Sequence, residues 1–169
     1  MPDSPKTASL LSKEAVFEAH AGHPAVIALR GLATAAKFDR NELTITVAPA
    51  DIAAACTAAR QAGYNFLEDV TCVDWYPSDT PTAPRFQVVY HILSMSLKQR
   101  LRLCAMVRGE DPAIASITSI WPSANFYERE VFDLFGIRFD GHPRLTRIMM
   151  PVDWQGHPLR KDYPVEGYR

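Results

Sequence analysis

Three acidic side chains fall close together in SANFYEREVFDLFGI, Ser123 to Ile137: Glu128, Glu130 and Asp133. Carboxylates and imidazoles are the groups that move protons near neutral pH, so Glu128, Asp133 and His142 would be the acid–base set of a free-standing enzyme. No glycine-rich phosphate loop and no nucleophile paired with a base accompanies them. Their charges are therefore read as organising contacts, with no catalytic residue assigned. Metal chemistry fares no better. Cys56, Cys72 and Cys104 stand far apart without a CxxC pair, and His142-Pro143 and Gly156-His157-Pro158 come with neither a cysteine pair nor HExxH. Zinc, iron–sulfur and disulfide frameworks all lack their usual spacing. The chain is expected to hold no cofactor and no metal, its cysteines being reduced core thiols and its histidines structural or interfacial hydrogen-bonding groups.

The acids sit on the clearest helix in the sequence, with Ser123 as its expected N-cap and Gly136 just past its end. At 100° per residue, Tyr127, Val131, Phe132, Leu134 and Phe135 form a wide apolar arc, and Arg129, Glu130 and Asp133 fall opposite. Glu128 projects inside the arc, where an unpaired charge would be costly. Either the helix N-terminal turn makes it comfortable, or it pairs with Arg144, Arg147 or an arginine of a neighbouring protein. Arg129 and Asp133, four apart, can satisfy each other. On the second reading Glu128→Ala weakens assembly more than Asp133→Ala.

What positions this helix is an α+β domain. Leu10 to Ala19 reads as a helix with Ser12 near its start. Val26 to Phe38 reads as a strand, turning at Asp39-Arg40-Asn41 into Leu43 to Val47. Asp51 can cap a helix running to Ala62, with Gly63 at its end. Phe66 to Trp75 is a third strand, stopped by YPSDTPTAP. RFQVVYHIL and RLRLCAMVR alternate as antiparallel neighbours. The order α-β-β-α-β-β-β implies two layers, a mixed sheet with helices mainly on one face, followed by a helix and a long irregular C-terminal arm. At 47% hydrophobic content one core is expected. No leader and no eighteen-residue apolar run is present, so the chain reads as soluble with no direct membrane span. Aromatic RFQVVYHIL is the kind of strand RNA-binding sheets use, but the net charge of −1 lacks the footprint of a nucleic-acid binder.

The division expected is 1–138 for the domain and 139–169 for the arm. The arm carries prolines at 143, 151, 158 and 164 and glycines at 141, 156 and 167, yet Trp154, Tyr163 and Leu159 argue against disorder. Fully extended it could reach about 100 Å. Burying its own apolar side chains returns less than ordering its backbone costs, so it needs a host surface. The expected interface residues are Glu128, Arg129, Glu130, Asp133 and Phe135 of the helix with His142, Pro143, Arg147, Trp154, His157, Pro158, Arg160, Lys161, Asp162 and Tyr163 of the arm.

ERExxDLFGI at Glu128 to Ile137, GHP at Gly141 to Pro143, Arg147-Ile148 and GHPLRKDYP at Gly156 to Pro164 together resemble the signature of the NuoC family, the C subunits of the respiratory NADH-quinone oxidoreductase, complex I. FLEDVTCVDWYP, from Phe66, extends the likeness upstream, and it covers most of the chain after Val26. The resemblance implies a peripheral-arm subunit on the cytoplasmic side of the cell inner membrane. Such a subunit bears no cofactor, within a complex that uses FMN, iron–sulfur clusters, NADH and quinone. It implies a scaffold packed on the quinone-site large subunit and adjacent iron–sulfur subunits. Relatives in membrane-bound hydrogenases and in ferredoxin-fed or other non-NADH dehydrogenases make those hosts the alternative. Thr146, in HPRLTRI, stands where many relatives carry a basic residue, so a contact made there is not transferred.

Overall fold

A computed structural model describes residues 12–77 and 83–168. Helix α1 (Lys13–Ala19) starts where Ser12 Oγ accepts the Ala15 N–H at 3.2 Å; the expected start at Leu10 lies outside the described residues. Next comes a helix where a strand was expected. In α2 (Pro24–Leu29) the His23 Nδ1 accepts the Ala25 N–H at 3.3 Å, and Pro24 supplies a φ already fixed for helix. Val26 and Leu29 are thereby packed inward with no exposure. The strand read from Val26 is thus corrected to β1 (Ala33–Asp39), which hairpins into β2 (Glu42–Val47) through Arg40 and Asn41. Both turn residues have positive φ, 50° and 65°, which matches the twist of a tight hairpin.

A 3₁₀ turn, Pro49–Asp51, leads into α3 (Ile52–Gln61). Asp51 makes no side-chain capping bond there: the turn backbone makes the entry, with Asp51 N–H donating to Ala48 O. Strands β3 (Phe66–Asp74), β4 (Pro84–Ser94) and β5 (Gln99–Arg108) form an antiparallel meander, followed by β6 (Ala113–Ala115), α4 (Ala124–Phe135) and β7 (Arg138–Asp140). Ser123 does not cap α4 with its side chain, because its backbone is already helical at φ −61°, ψ −25°.

The main sheet has the order β1-β2-β5-β4-β3, antiparallel except for β2 against β5. Register aligns Ile45 with Leu103, Leu103 with Tyr90 and Tyr90 with Val70. Each of these is at most 2% exposed, so one apolar row crosses four strands. Phe86 and Tyr90 are fully buried in this core and cannot stack on bases, which removes the RNA-binding reading of that strand. A second, two-stranded parallel sheet joins β6 to β7. Phe139 therefore belongs to β7, 2% exposed, and the irregular chain begins after Asp140.

Candidate functional site: a C-terminal arm docked on helix α4

Helix α4 buries two carboxylates, Glu128 and Asp133, both without exposed surface. The outward face assigned to Asp133 is corrected: it points away from the sheet, but the arm returns over it. Asp133 Oδ2 accepts the N–H groups of Ile148, Met149 and Met150 at 2.9, 2.8 and 2.9 Å, and Oδ1 takes Arg147 Nη1 at 2.6 Å. Burial disfavours the charge, yet these four donors outweigh it and hold the carboxyl below its ordinary value. Arg129 does not pair with Asp133. It donates to Thr146 O, Thr146 Oγ1 and Arg147 O at 3.0 to 3.2 Å, so Thr146 serves as an acceptor within the chain.

The end of α4 shows why the arm returns. A helix leaves its last four carbonyls without intrahelical partners. Here Phe132 O accepts Gly136 N–H, Asp133 O accepts His157 Nδ1–H, Leu134 O accepts Leu159 N–H and Phe135 O accepts Arg160 Nε–H, at 2.6 to 3.1 Å. Cationic Arg147 and Arg160 also sit at the negative end of the helix dipole. Gly136, at φ +73°, is required twice over: a Cβ there would meet His157 at 2.5 Å and Arg160 at 2.6 Å.

A second anchor ties the arm to the sheet. Arg85 grips Asp74 through Nε and Nη2 at 2.8 and 2.7 Å, and Asp162 through Nη1 and Nη2 at 2.9 and 2.6 Å. Lys161 N–H donates to Asp74 Oδ2 at 2.9 Å, and Arg160 lies over Phe86 at 5.2 Å. Sequence reasoning missed Arg85 and Asp74. Asp74 had a signal, since it shares the inward parity of Val70 and Cys72 on β3, the same anomaly that flagged Glu128.

The arm thus folds back on its own domain mainly by polar contacts; Leu145 packs against the core, but most of the other apolar side chains are left outside. Val152 and Val165 are essentially fully exposed, and Met149, Leu159 and Tyr168 are more than half exposed. Trp154 is partly exposed, as are Trp75 and Tyr76 at the end of β3. Of the other expected interface residues, Glu130 and Pro143 are exposed, and Pro158 and Tyr163 are partly buried. Tyr163 donates to Gln155 O and stands edge-on to Tyr168. His142 is satisfied internally, donating from Nε2 to Asn125 O and accepting Arg144 N–H at Nδ1.

Glu128 lies apart from these anchors and pairs with no arginine among the described residues. Its Oε1 accepts Ile117 N–H at 2.7 Å and its Oε2 contacts Ser116 Oγ at 2.6 Å. Glu128, Asp133 and His142 therefore serve three separate local networks and do not form an acid–base set. Burial, only partly offset by Ser116 and Ile117, raises the Glu128 carboxyl to about 7 from its ordinary 4.5. An acid whose folded pKa is raised favours folding when protonated, so its contribution is complete below the ordinary 4.5 and is lost as pH climbs from there through about 7. Glutamine reproduces the neutral form, accepting from Ile117 and donating to Ser116. Glu128→Gln is expected to match the parent near pH 4 and exceed its stability by about 2 to 3 kcal/mol at pH 8. Urea midpoints at the two pH values measure this, and an equal difference at both would refute it.

The profile of the family described as respiratory-chain NADH dehydrogenase, 30 Kd subunit, matches residues 45–169, which include α4 and the whole arm. The chain belongs to this family. The C subunit of the NADH-quinone oxidoreductase of Trichlorobacter lovleyi is 49% identical over 132 residues, 78% of this chain and 80% of that protein. Its counterpart from Citrifermentans bemidjiense is 48% identical over 129 residues, 76% and 78% of the two chains. The counterpart from Salinispora tropica is 46% identical over 76% of this chain, which spans about half, 53%, of that relative. Among solved structures, the trypsin-resistant fragment (1–134) of Nqo5 superposes with a TM-score of 0.61 at 31% identity, over 78% of this chain and 98% of the fragment. An archaeal membrane-bound sulfane sulfur reductase shares the fold, with a TM-score of 0.71 at 22% identity over 82% of each chain. The five-stranded mixed sheet is thus the fold of the 30 kDa subunit. Among the described residues of this 30 kDa subunit, no group of three or more His, Cys, Asp or Glu is placed to hold a metal ion. No described helix is long and apolar enough to cross a membrane.

Proposed function

We propose that this chain works as the scaffolding C subunit of a proton-translocating NADH-quinone oxidoreductase, with a body that runs through β7 to Asp140 and the chain from 141 to 169 as the arm that grips neighbouring subunits. One observation carries the reading: polar anchors fix the arm on its own domain while most of its apolar side chains face outward. That is the reverse of what an isolated domain needs and suits a second polypeptide. The partners that fit are the quinone-site large subunit and adjacent iron–sulfur subunits. The place is the cytoplasmic side of the inner membrane, peripheral to the bilayer. FMN, the clusters, NADH and quinone belong to those companions, and this chain contributes by holding them during electron transfer. Glu128 and Asp133 act inside the chain, shaping the surface that Trp154, Pro158, Tyr163 and their neighbours present.

Limited trypsinolysis tests the proposal. The isolated chain should be trimmed within the arm, at sites such as exposed Lys161, whereas the same bonds in the assembled complex should survive at least roughly tenfold longer. Equal lifetimes in both states would remove the arm from the interface.

A further inference from the structure

At the end of the main sheet remote from the arm, a trough of about 980 Å³ opens between the β1–β2 and β4–β5 turns. Strand β4 joins the two regions: Arg85, at its start, holds the arm, and Leu93 and Ser94, at its end, line the trough. At about 3.3 Å per residue they lie roughly 30 Å apart.

The lining is rich in cations and donors. Arg40, Lys98 and Arg100 line it with His20 and His23, and among the described residues Glu42 is the sole carboxylate there. Arg100 is engaged by Glu68 at 3.1 Å; among the described residues no carboxylate pairs with Arg40 or Lys98. Two further groups are turned into donors by their bonds. His23 Nδ1 accepts the Ala25 N–H, which leaves the proton of the neutral ring on Nε2. Gln99 Oε1 accepts from Tyr64 OH at 3.1 Å, which leaves its amide hydrogens uncommitted to that contact. One wall is apolar, made by Phe38, stacked on His20 at 4.0 Å, with Leu93 and exposed Met95.

We propose that this trough binds an acidic, extended peptide segment of a partner polypeptide, separate from whatever covers the arm. Donors and unpaired cations select carboxylates. The apolar wall accepts side chains alternating with them. A trough open along one side suits a chain lying across it better than an enclosed small molecule. Nucleic acid is disfavoured, because the chain as a whole carries a net charge of −1 and the positive patch is local. The protein would then join two partners, one at each end of its sheet.

Two measurements decide. First, the full chain is titrated with a labelled peptide of alternating glutamate and leucine, followed by amide shifts and anisotropy. Shifts should concentrate in Arg40–Glu42 and Met95–Arg100, and the double variant Arg40→Glu, Lys98→Glu should weaken binding at least roughly tenfold at low salt, leaving arm amides unchanged. Unaltered affinity in that variant, shifts elsewhere, or displacement by inorganic phosphate, oligothymidylate or anionic vesicles at lower charge concentration would overturn the proposal. Second, a photo-crosslinking residue replaces Met95 in the assembled complex. An adduct on a net-acidic segment of a partner polypeptide supports it; no adduct, or one on lipid or on a neutral or basic segment, overturns it. The same crosslinker at Val165 reports on the arm alone, so failure at one surface is distinguishable from failure at the other.

Discussion

Asp133→Ala is expected to cost about 3 to 5 kcal/mol and to release the arm, because four donors lose their acceptor at once and Arg147 is left half-buried without its carboxylate. Arg147→Ala should cost less than half as much, since Asp133 keeps its three backbone donors. This asymmetry separates a carboxylate that organises a backbone turn from one that merely completes an ion pair. It also reverses the sequence-based expectation that Glu128→Ala would harm assembly more. Chemical denaturation gives the stabilities, and trypsin cleavage of the arm gives its release. Asp133→Ala with an unchanged cleavage rate would show that the arm is held by something else. The pH dependence has a definite sign. The folded carboxyl is held below its ordinary value of 3.8, so its stabilisation is complete above that value and disappears as pH falls through the lowered folded pKa.

Arg85→Met comes second, at about 3 kcal/mol, for a different reason. The Asp74 side chain is 2% exposed, and among the described residues the guanidinium is its only cationic partner. Arg85 also spans to Asp162 of the arm and covers the Tyr76 ring at 4.8 Å. Removing it strands a buried carboxylate and cuts the sheet-to-arm tie together. Adding Asp74→Asn to Arg85→Met should recover part of the loss, because the stranded charge goes while the amide oxygen still accepts from one of the two N–H groups, Lys161 or Tyr76, that donate to separate carboxylate oxygens in the parent. Failure of that rescue would mean that the packing of Arg85, and not its charge, matters. For Asp74, burial opposes ionisation, but Arg85 and the N–H groups of Lys161 and Tyr76 prevail; Asp162 is lowered chiefly by Arg85. Both contribute above their ordinary values and lose that contribution in acid, so the variant's acid limb should flatten.

The parts of this molecule legible in its sequence are those set by neighbours along the chain. Alternation in β4 and β5, the Ser12 cap, the glycine ending α4 and the proline-broken arm all follow from local rules. The misread parts depend on distant partners. Val26 looked like strand because an apolar run has no period of its own; His23-Pro24, a cap followed by a proline, was the cue to α2. Asp133 looked outward because a helical wheel locates the sheet side of α4 but not a segment that arrives later and covers the other side. Glu128 falls inside the apolar arc of the helical wheel and is buried, but its partners, a serine hydroxyl and a backbone N–H, carry no charge that a pairing rule could find. The site was half visible: the arm's residues stood out, whereas Asp74 and Arg85 needed the fold to bring positions 74, 85 and 162 together.

The parallel pairing of β2 with β5 bears on how the chain is made. A ribosome delivers β2 long before β5, so the first hairpin must wait with an unsatisfied edge while the β3–β4–β5 meander zips up from sequential pieces. Only after Arg108 has emerged can the earlier hairpin find its seat. Nascent copies thus pass through a period in which Leu43, Ile45 and Val47 lack their final neighbour, the interval in which a holding chaperone would matter most.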